Sequence, residues 1–160
     1  MELTPDELAG VVDIAGPLTR GELGRACSEL AFKRGEHVEP DSFEGDIDAA
    51  LTEYYLVAVA DHGTEADDSL LVVGPAAFPA VTEGVEDLPH ILDVPERDIS
   101  EEAVATAAET RFRADAAAAV ETGDTDRIET LLDVSYDLEA WGAVTLDSAR
   151  ARLDEATQAN

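Results

Sequence analysis

The stretch from Thr19 to Gly35 carries the strongest helix signal in the chain, and it constrains the fold most. Its apolar side chains recur at i, i+3, i+4, i+7 and i+8, which is the spacing of one helical face. These side chains are Leu23, Ala26, Cys27, Leu30 and Ala31. Thr19 and Glu22 have the spacing of a capping box, and Gly35 follows the last turn. The pattern predicts a central helix with one buried side.

One shorter helix is predicted on each side of this central helix. Before it, Thr4 and Glu7 form a second capping box, which opens a helix. After it, an amphipathic pattern that includes Phe43 and Ile47 predicts a third helix, which extends to Tyr54. The sequence therefore predicts three consecutive helices at the start of the chain.

A β-hairpin is predicted directly after these helices. The runs 55–60 and 69–73 are short and rich in β-branched and aromatic residues, and the polar loop 61–68 separates them. The loop is longer than most hairpin loops, as the wing of a winged helix would be. Three helices followed by a hairpin indicate a winged-helix-like domain over residues 1–74.

The second half of the chain has a different character. Four of the seven prolines lie within 75–99, which predicts a connecting strap without regular structure that packs on the first domain. Residues 100–160 are predicted to be helical. Their helices are expected at 101–121, at 124–134 and from Thr145 onward. The predicted fold class is therefore mainly α, with one small β-hairpin.

Trp141 is the chain's only tryptophan, and it stands in a stretch without clear periodicity. Tyr136, Leu138 and Trp141 are expected in a loop or an irregular turn. Two interpretations of Trp141 remain open at this point. The side chain either anchors the core of the C-terminal helices or contacts a protein partner from the surface.

The acidity of the chain is its strongest compositional feature. The 37 acidic and 10 basic residues give a formal net charge of −27, and nine of the basic residues are arginine. A tail that binds a basic partner would be a local acidic block. The charge is instead even, at −13 over residues 1–74 and −14 over 75–160. The even distribution favours adaptation to molar salt, which screens the self-repulsion of such a chain.

The sequence also predicts where the protein works. Cys27 is the only cysteine, so no intramolecular disulfide forms, and its place on the apolar face indicates a buried thiol. The N-terminus lacks the basic segment of a signal peptide, and the longest apolar run, at 56–60, is too short to span a membrane. We therefore expect a cytoplasmic protein without a membrane partner.

No pattern for catalysis, a cofactor or a metal ion stands out. His37, His62 and His90 are each isolated from other histidines and from the cysteine, so they lack the spacing of metal ligands. The sequence also lacks a phosphate-binding glycine loop and a nucleophile elbow. We therefore predict that the protein is not an enzyme and that it carries neither a cofactor nor a metal ion.

The winged helix raises the question of DNA. Base contacts use Arg, Lys, Asn or Gln, and the third helix has none of these over 44–54. The cations of the N-terminal half are Arg20, Arg25, Lys33 and Arg34, which are either solvated residues or a nucleic-acid patch. The acidic third helix favours a regulatory or protein–protein interaction module that binds an unidentified protein. A DNA-binding transcriptional regulator of winged-helix type is the alternative.

Three stretches carry a resemblance to a known family. They read LTRGELGRACSELAFKRG, DLPHILDVPERDIS and RIETLLDVSYDLEAWGAV. With these stretches the chain resembles a haloarchaeal family of small acidic proteins of uncharacterised function, over nearly its whole length. The resemblance implies the lineage and an intracellular location. It implies no functional residue.

Overall fold

The residues described by the computed structural model are 3–60, 69–80, 85–93, 97–142 and 144–159. This described part is mainly helical and has one small antiparallel sheet, which confirms the predicted fold class. The chain divides into two units, the first over Met1–Ile99 and the second over Ser100–Asn160. Each unit has its own helices and its own buried side chains.

The first two helices are α1 (Pro5–Ala15) and α2 (Arg20–Lys33). Both begin at the predicted capping boxes. The Thr4 hydroxyl accepts the Glu7 backbone N–H at 3.1 Å, and the Glu7 carboxylate accepts the Thr4 N–H at 3.1 Å. Thr19 and Glu22 exchange the same two bonds, at 3.2 and 2.9 Å. Each box gives partners to two N–H groups that a helix start otherwise leaves unpaired.

The predicted apolar face of α2 lies at the centre of the first unit. Its five apolar side chains are at most 1% exposed. The face packs with α1 and with α3 (Glu44–Thr52), whose Ile47 is also 1% exposed. A 3₁₀ turn over Pro40–Phe43 leads into α3. Leu30 and Cys27 are therefore core residues, as the sequence predicts.

A three-stranded antiparallel sheet completes this core. Its strands are β1 (Leu18–Thr19), β2 (Leu56–Val59) and β3 (Leu70–Val73). The strand order is β1-β3-β2, with Leu18 opposite Leu71 and Leu56 opposite Val73. The hairpin of β2 and β3 confirms the prediction, whereas β1 was not predicted. The expected loop 61–68, with His62, lies outside the described residues.

The turn from α3 into β2 differs from the prediction. The helix ends at Thr52 rather than at Tyr54, and buried Tyr54 has a left-handed backbone with φ +66°. The segment that follows β3 holds this turn, because the Tyr54 carbonyl accepts the Ala76 N–H at 3.0 Å. A Cβ on Gly74 would lie 2.3 Å from that carbonyl oxygen, so only glycine fits at this position.

The described part of 75–99 belongs to the first unit and runs against α1. The N–H groups of Phe78 and Ala80 donate to the Asp6 side chain and the Asp6 carbonyl, at 2.9 and 3.0 Å. The prediction of no regular structure is wrong for part of this segment. It contains a 3₁₀ turn over Val85–Asp87 and a short helix, α4 (Leu88–Leu92). Both elements form because buried Val85 and Leu88 pack into the core.

The described part of the second unit consists of three helices. They are α5 (Glu101–Thr122), α6 (Thr125–Trp141) and α7 (Asp147–Ala159). Ser100 caps α5 by accepting the Ala103 N–H at 3.1 Å, and Gly123 ends it at φ +69°. Asp124 caps α6 by accepting the Arg127 N–H at 3.1 Å. The long α5 confirms the predicted Ala-rich helix.

The predicted end of α6 at residue 134 is wrong. The helix continues to Trp141, so Tyr136, Leu138 and Trp141 are helical rather than part of a loop. Leu138 is 0% exposed and continues the buried series of Ile128 and Leu131, which explains the extra length. The last helix begins at Asp147, two residues after the predicted start.

Candidate functional site

Two of the four basic residues of the predicted nucleic-acid patch form ion pairs with carboxylates. Arg20, at the start of α2, donates to Asp48 of α3 at 2.6 Å. Lys33, at the end of α2, donates to Asp87 at 3.0 Å. A phosphate group would have to displace a carboxylate at either residue. This pairing reduces the positive charge that α2 offers to a nucleic acid.

The side chains of Arg25 and Arg34 are exposed, and neither has an ionic or hydrogen-bonding partner within the described residues. Arg25 shares a cleft of about 520 Å³ with Arg20, but Asp41 and Glu44 line the same cleft. Arg34 follows the opposite end of α2. The structure therefore brings Arg20 and Arg25 together and leaves Lys33 and Arg34 apart from them.

The third helix presents carboxylates to solvent. Glu44 and Asp48 are exposed on α3, Asp46 is half-buried, and exposed Glu53 follows the helix end. Repulsion from these groups opposes the approach of DNA phosphates. At the position where a recognition helix would enter the major groove, the described surface is anionic.

The side of α2 opposite its buried face carries a different surface. Arg25, Glu29 and Phe32 recur there at i, i+4 and i+7. Phe32 is 63% exposed, and its ring meets that of His37 edge-on with centroids 5.9 Å apart. Ile91 of α4 is 42% exposed and lines a pocket of about 160 Å³ with Arg25 and Glu29. We call Arg25, Glu29, Phe32 and Ile91 the α2 face.

Sequence reasoning missed three members of the α2 face, which are Glu29, Phe32 and Ile91. Phe32 lies opposite the apolar stripe of α2, so a large aromatic residue off the periodic face was the available signal. Ile91 gave no such signal, because its exposure depends on how α4 packs against α2. Of the predicted patch, only Arg25 belongs to this face.

Trp141 is the last residue of α6 and is 37% exposed, outside the buried core. Most of the side chain is nevertheless covered, so both interpretations of Trp141, a core anchor and a contact with a partner, stay predictions. Tyr136 on the same helix is 60% exposed, but the Arg150 guanidinium lies 4.2 Å above its ring. Arg150 also pairs with Glu139. Tyr136 is thus engaged within its own unit.

A comparison with family models identifies the relatives of this chain. The model of a family of unknown function, DUF7109, matches residues 6–158. The chain belongs to the DUF7109 family. No curated protein and no solved structure matches the chain. The family confirms the resemblance to uncharacterised proteins, whereas the haloarchaeal lineage stays a prediction.

Cys27 and Glu22 are two buried ionisable residues of this DUF7109 chain, of which the first is kept neutral and the second is held in a fixed pair. Burial, with a smaller effect from Asp46, raises the pKa of Cys27 to about 12, so its thiol is not a nucleophile near neutral pH. Burial also opposes ionisation of Glu22. Hydrogen bonds from Arg97 and from the Thr19 backbone outweigh burial, and the pKa of Glu22 lies below its usual value.

The Glu139 carboxylate of the DUF7109 chain is held in a similar way. It accepts the Leu146 N–H at 2.9 Å and pairs with Arg150, and both contacts lower the pKa of Glu139. Among the described residues, no three His, Cys, Asp or Glu side chains are grouped as ligands for a metal ion. No helix within the described ranges has the length and apolar character needed to cross a bilayer.

Proposed function

We propose that this protein is a non-enzymatic regulatory or interaction module that binds another protein through the α2 face of a winged-helix scaffold. The observation that carries the proposal is the α2 face itself. It combines an aromatic side chain that is 63% exposed, Phe32, with Ile91 and with Arg25, which share a pocket; Arg25 has no ion-pair partner among the described residues. Exposed aromatic and arginine side chains are the residues most enriched at the energetic centres of protein interfaces.

The order of the elements supports a winged-helix scaffold. A short strand follows α1, two helices come next, and the hairpin of β2 and β3 follows them, before α4 ends the unit's regular structure. The early strand β1 pairs with β3, so the hairpin is tied back to the helices. This arrangement fits a winged helix whose third helix is α3.

The chemistry of the α2 face suggests the kind of partner. Phe32 and Ile91 offer apolar area, and Arg25 offers a cation without an ion-pair partner among the described residues. We infer a partner segment with an apolar side chain beside a carboxylate. Burying the guanidinium without such a carboxylate would carry a desolvation cost.

We also propose that the protein works inside the cell at molar salt. The charge of −27 is even along the sequence, which supports adaptation of the whole surface rather than one acidic binding segment. A Debye length of about 3 Å at 1 M salt restricts electrostatic recognition to groups in contact. Under these conditions, the apolar part of the α2 face supplies most of the affinity.

The rival function is DNA binding by a transcriptional regulator. One observation favours it, since Arg20 and Arg25 line a common cleft beside α3. Against it stand Asp41 and Glu44 in the same cleft and the ion pair of Arg20 with Asp48. A regulator that reads DNA through α3 would need donors where this helix has carboxylates.

The test compares two ligands in molar KCl. Wild type is expected to capture a protein partner from a salt-adapted lysate, and a variant with Arg25→Gln and Phe32→Ala is expected to lose it. Ile14→Ala is the matched control, because Ile14 is 40% exposed on α1 and lies outside the α2 face. Retention of the partner by the double variant would exclude the α2 face as the binding surface.

The same purified protein in molar KCl tests the alternative function, DNA binding. Fluorescence anisotropy should detect no binding of mixed duplex DNA at micromolar wild-type protein. A variant with Arg20, Arg25, Lys33 and Arg34 replaced by glutamine shows whether any binding depends on the four cations. If wild type binds duplex DNA specifically and this variant does not, the regulator replaces the interaction module.

A further inference from the structure

The second unit has an open groove between α5 and α7. Its volume is about 600 Å³. The α5 side of the groove consists of Arg113, Ala116, Ala117, Val120 and Glu121. Val120 is 38% exposed, and Ala117 is exposed. These small side chains would allow another helix to approach α5 closely.

The charged residues that α5 contributes to the groove, Arg113 and Glu121, can pair with the same two residues of a second copy. Arg113 precedes Ala117 by four residues, and Glu121 follows it by four, so the two charges lie about 6 Å on either side of Ala117 along the helix. A second α5 that runs antiparallel and is centred on Ala117 would place each Arg113 opposite the other copy's Glu121. Arg113 also donates to the Glu109 carboxylate and to the Thr145 carbonyl, at 3.0 and 3.3 Å, but its side chain stays 48% exposed.

The α7 side of the groove repeats this order. Arg152 and Glu155 lie three residues apart, and both line the groove and are exposed. Within the described residues, the Arg152 side chain has no ionic or hydrogen-bonding partner. An antiparallel copy of α7, centred between these two residues, would place each Arg152 against the other copy's Glu155. The unpaired arginine would then gain a carboxylate.

One symmetry axis satisfies both helices when it passes Ala117 on α5 and the midpoint of Arg152 and Glu155 on α7, and these three residues line the same groove. A two-fold axis in the plane of the contact, perpendicular to the helices, maps α5 onto an antiparallel α5 and α7 onto an antiparallel α7. In a two-fold interface, when residue i of one copy contacts residue j of the other, residue j of the first copy also contacts residue i of the second. The Arg113–Glu121 and Arg152–Glu155 pairs both have this property. We propose that a second copy of this chain covers the α5/α7 groove and forms a homodimer.

The contributions of charge and apolar area to this dimer are separate. Burial of Val120 and of exposed Ala117 supplies affinity, while the charge pairs fix the antiparallel register. Two chains of charge −27 repel each other in dilute buffer, and molar salt screens that repulsion. The dimer is independent of the α2 face, which belongs to the first unit.

Sedimentation equilibrium of the full chain in molar KCl tests the dimer. Wild type should have twice the chain mass of 17.0 kDa. Arg152→Glu sets carboxylates against each other and should raise the dimer dissociation constant at least about tenfold. Adding Glu155→Arg restores opposite charges with reversed polarity and should recover the wild-type constant. Circular dichroism checks that each variant is folded.

Disulfide trapping tests the same axis independently of charge. Ala117→Cys should form a crosslinked dimer on mild oxidation, because Ala117 would face its own copy at the axis. Ala118→Cys is the matched control, since Ala118 is an exposed alanine of α5 that does not line the groove. Native Cys27 is buried and does not compete.

Four results would each overturn the proposal, and the first three concern the oligomeric state, the charge swap and the crosslinking. They are a monomeric wild type at micromolar concentrations, a double charge swap that fails to recover the dimer, and equal crosslinking at positions 117 and 118. A dimer whose dissociation constant is unchanged by Arg152→Glu would also overturn it, because the contact would then lie on another face.

Discussion

The Arg97 guanidinium holds both carboxylate oxygens of Glu22. One nitrogen bonds Glu22 Oε1 and also the Pro17 carbonyl at 3.2 Å, and the second bonds Glu22 Oε2 at 3.1 Å. The Glu22 and Arg97 side chains are only 11% and 17% exposed. The pair therefore ties the end of the first unit to the start of α2. It also holds the carboxylate that caps α2 at Thr19.

We predict that Glu22→Gln lowers the free energy of unfolding by about 2–4 kcal/mol at neutral pH, because Arg97 loses its charge partner in a buried site. Glutamine keeps an oxygen for the Thr19 cap, so the variant isolates the charge. The measurement is urea unfolding in molar KCl. Glu109→Gln is the control; it breaks an exposed pair with Arg113 and should cost less than about 1 kcal/mol.

The loss of unfolding free energy in Glu22→Gln should depend on pH. The pKa of Glu22 is lowered by folding, so its stabilisation is complete above the unfolded carboxyl pKa of about 4.3 and disappears as the pH falls through the folded value. The difference in unfolding free energy between wild type and Glu22→Gln should therefore shrink below about pH 4. A difference that stays constant down to pH 2 would contradict a charged Glu22–Arg97 pair.

Gly10→Ala should destabilise the first unit strongly. A Cβ on Gly10 would lie 1.9 Å from the Ala80 carbonyl oxygen, so the segment over α1 would have to move. We expect a loss of about 1–3 kcal/mol or more from this overpacking. Gly21→Ala is the matched control, because a Cβ there meets nothing within 4 Å and helix propensity favours alanine. Equal melting temperatures for the two variants would show that Ala80 does not pack on α1.

Leu30→Ala tests the centre of the core. Leu30 is 1% exposed on the buried face of α2, and truncation of such a side chain costs about 2–5 kcal/mol. Ile14→Ala removes a similar aliphatic side chain that is 40% exposed and should cost less than about 1 kcal/mol. Chemical denaturation measures both values. A loss under 1 kcal/mol for Leu30→Ala would mean that another face of α2 is buried.

Transfer from molar KCl to about 50 mM salt should unfold part of the protein, as measured by circular dichroism. The Debye length grows from about 3 Å to more than 10 Å over this range, so repulsion within a chain of charge −27 is no longer screened. Returning the salt should restore the spectrum. An unchanged spectrum and melting temperature at low salt would contradict adaptation to molar salt.

The sequence predicted those elements whose determinants are local. Thr4 and Thr19 cap helices through contacts only three residues away, and the apolar face of α2 repeats within each turn. The strand β1 was missed because two residues carry no periodicity. It is a strand only because β3 lies beside it. Local patterns cannot reveal a strand that depends on a distant partner.

The candidate site was less predictable for the same reason. Arg20 and Arg25 look alike in the sequence, since both are basic. Only the fold reveals that Arg20 forms an ion pair with Asp48 and that Arg25 has no such partner among the described residues. The exposure of Ile91 likewise depends on where α4 lies. Phe32 could have been found, since an aromatic residue opposite the buried stripe of a helix is visible in the sequence.

The position of β3 has a consequence for how the protein is made. β3 is the central strand, with β1 on one side and β2 on the other. Leu18 leaves the ribosome long before its partner Leu71, so β1 has no strand to pair with while α2, α3 and β2 are being synthesised. A nascent chain stalled before residue 70 therefore leaves the backbone groups of β1 that pair with β3 without their partners. The first unit closes only when translation has passed β3.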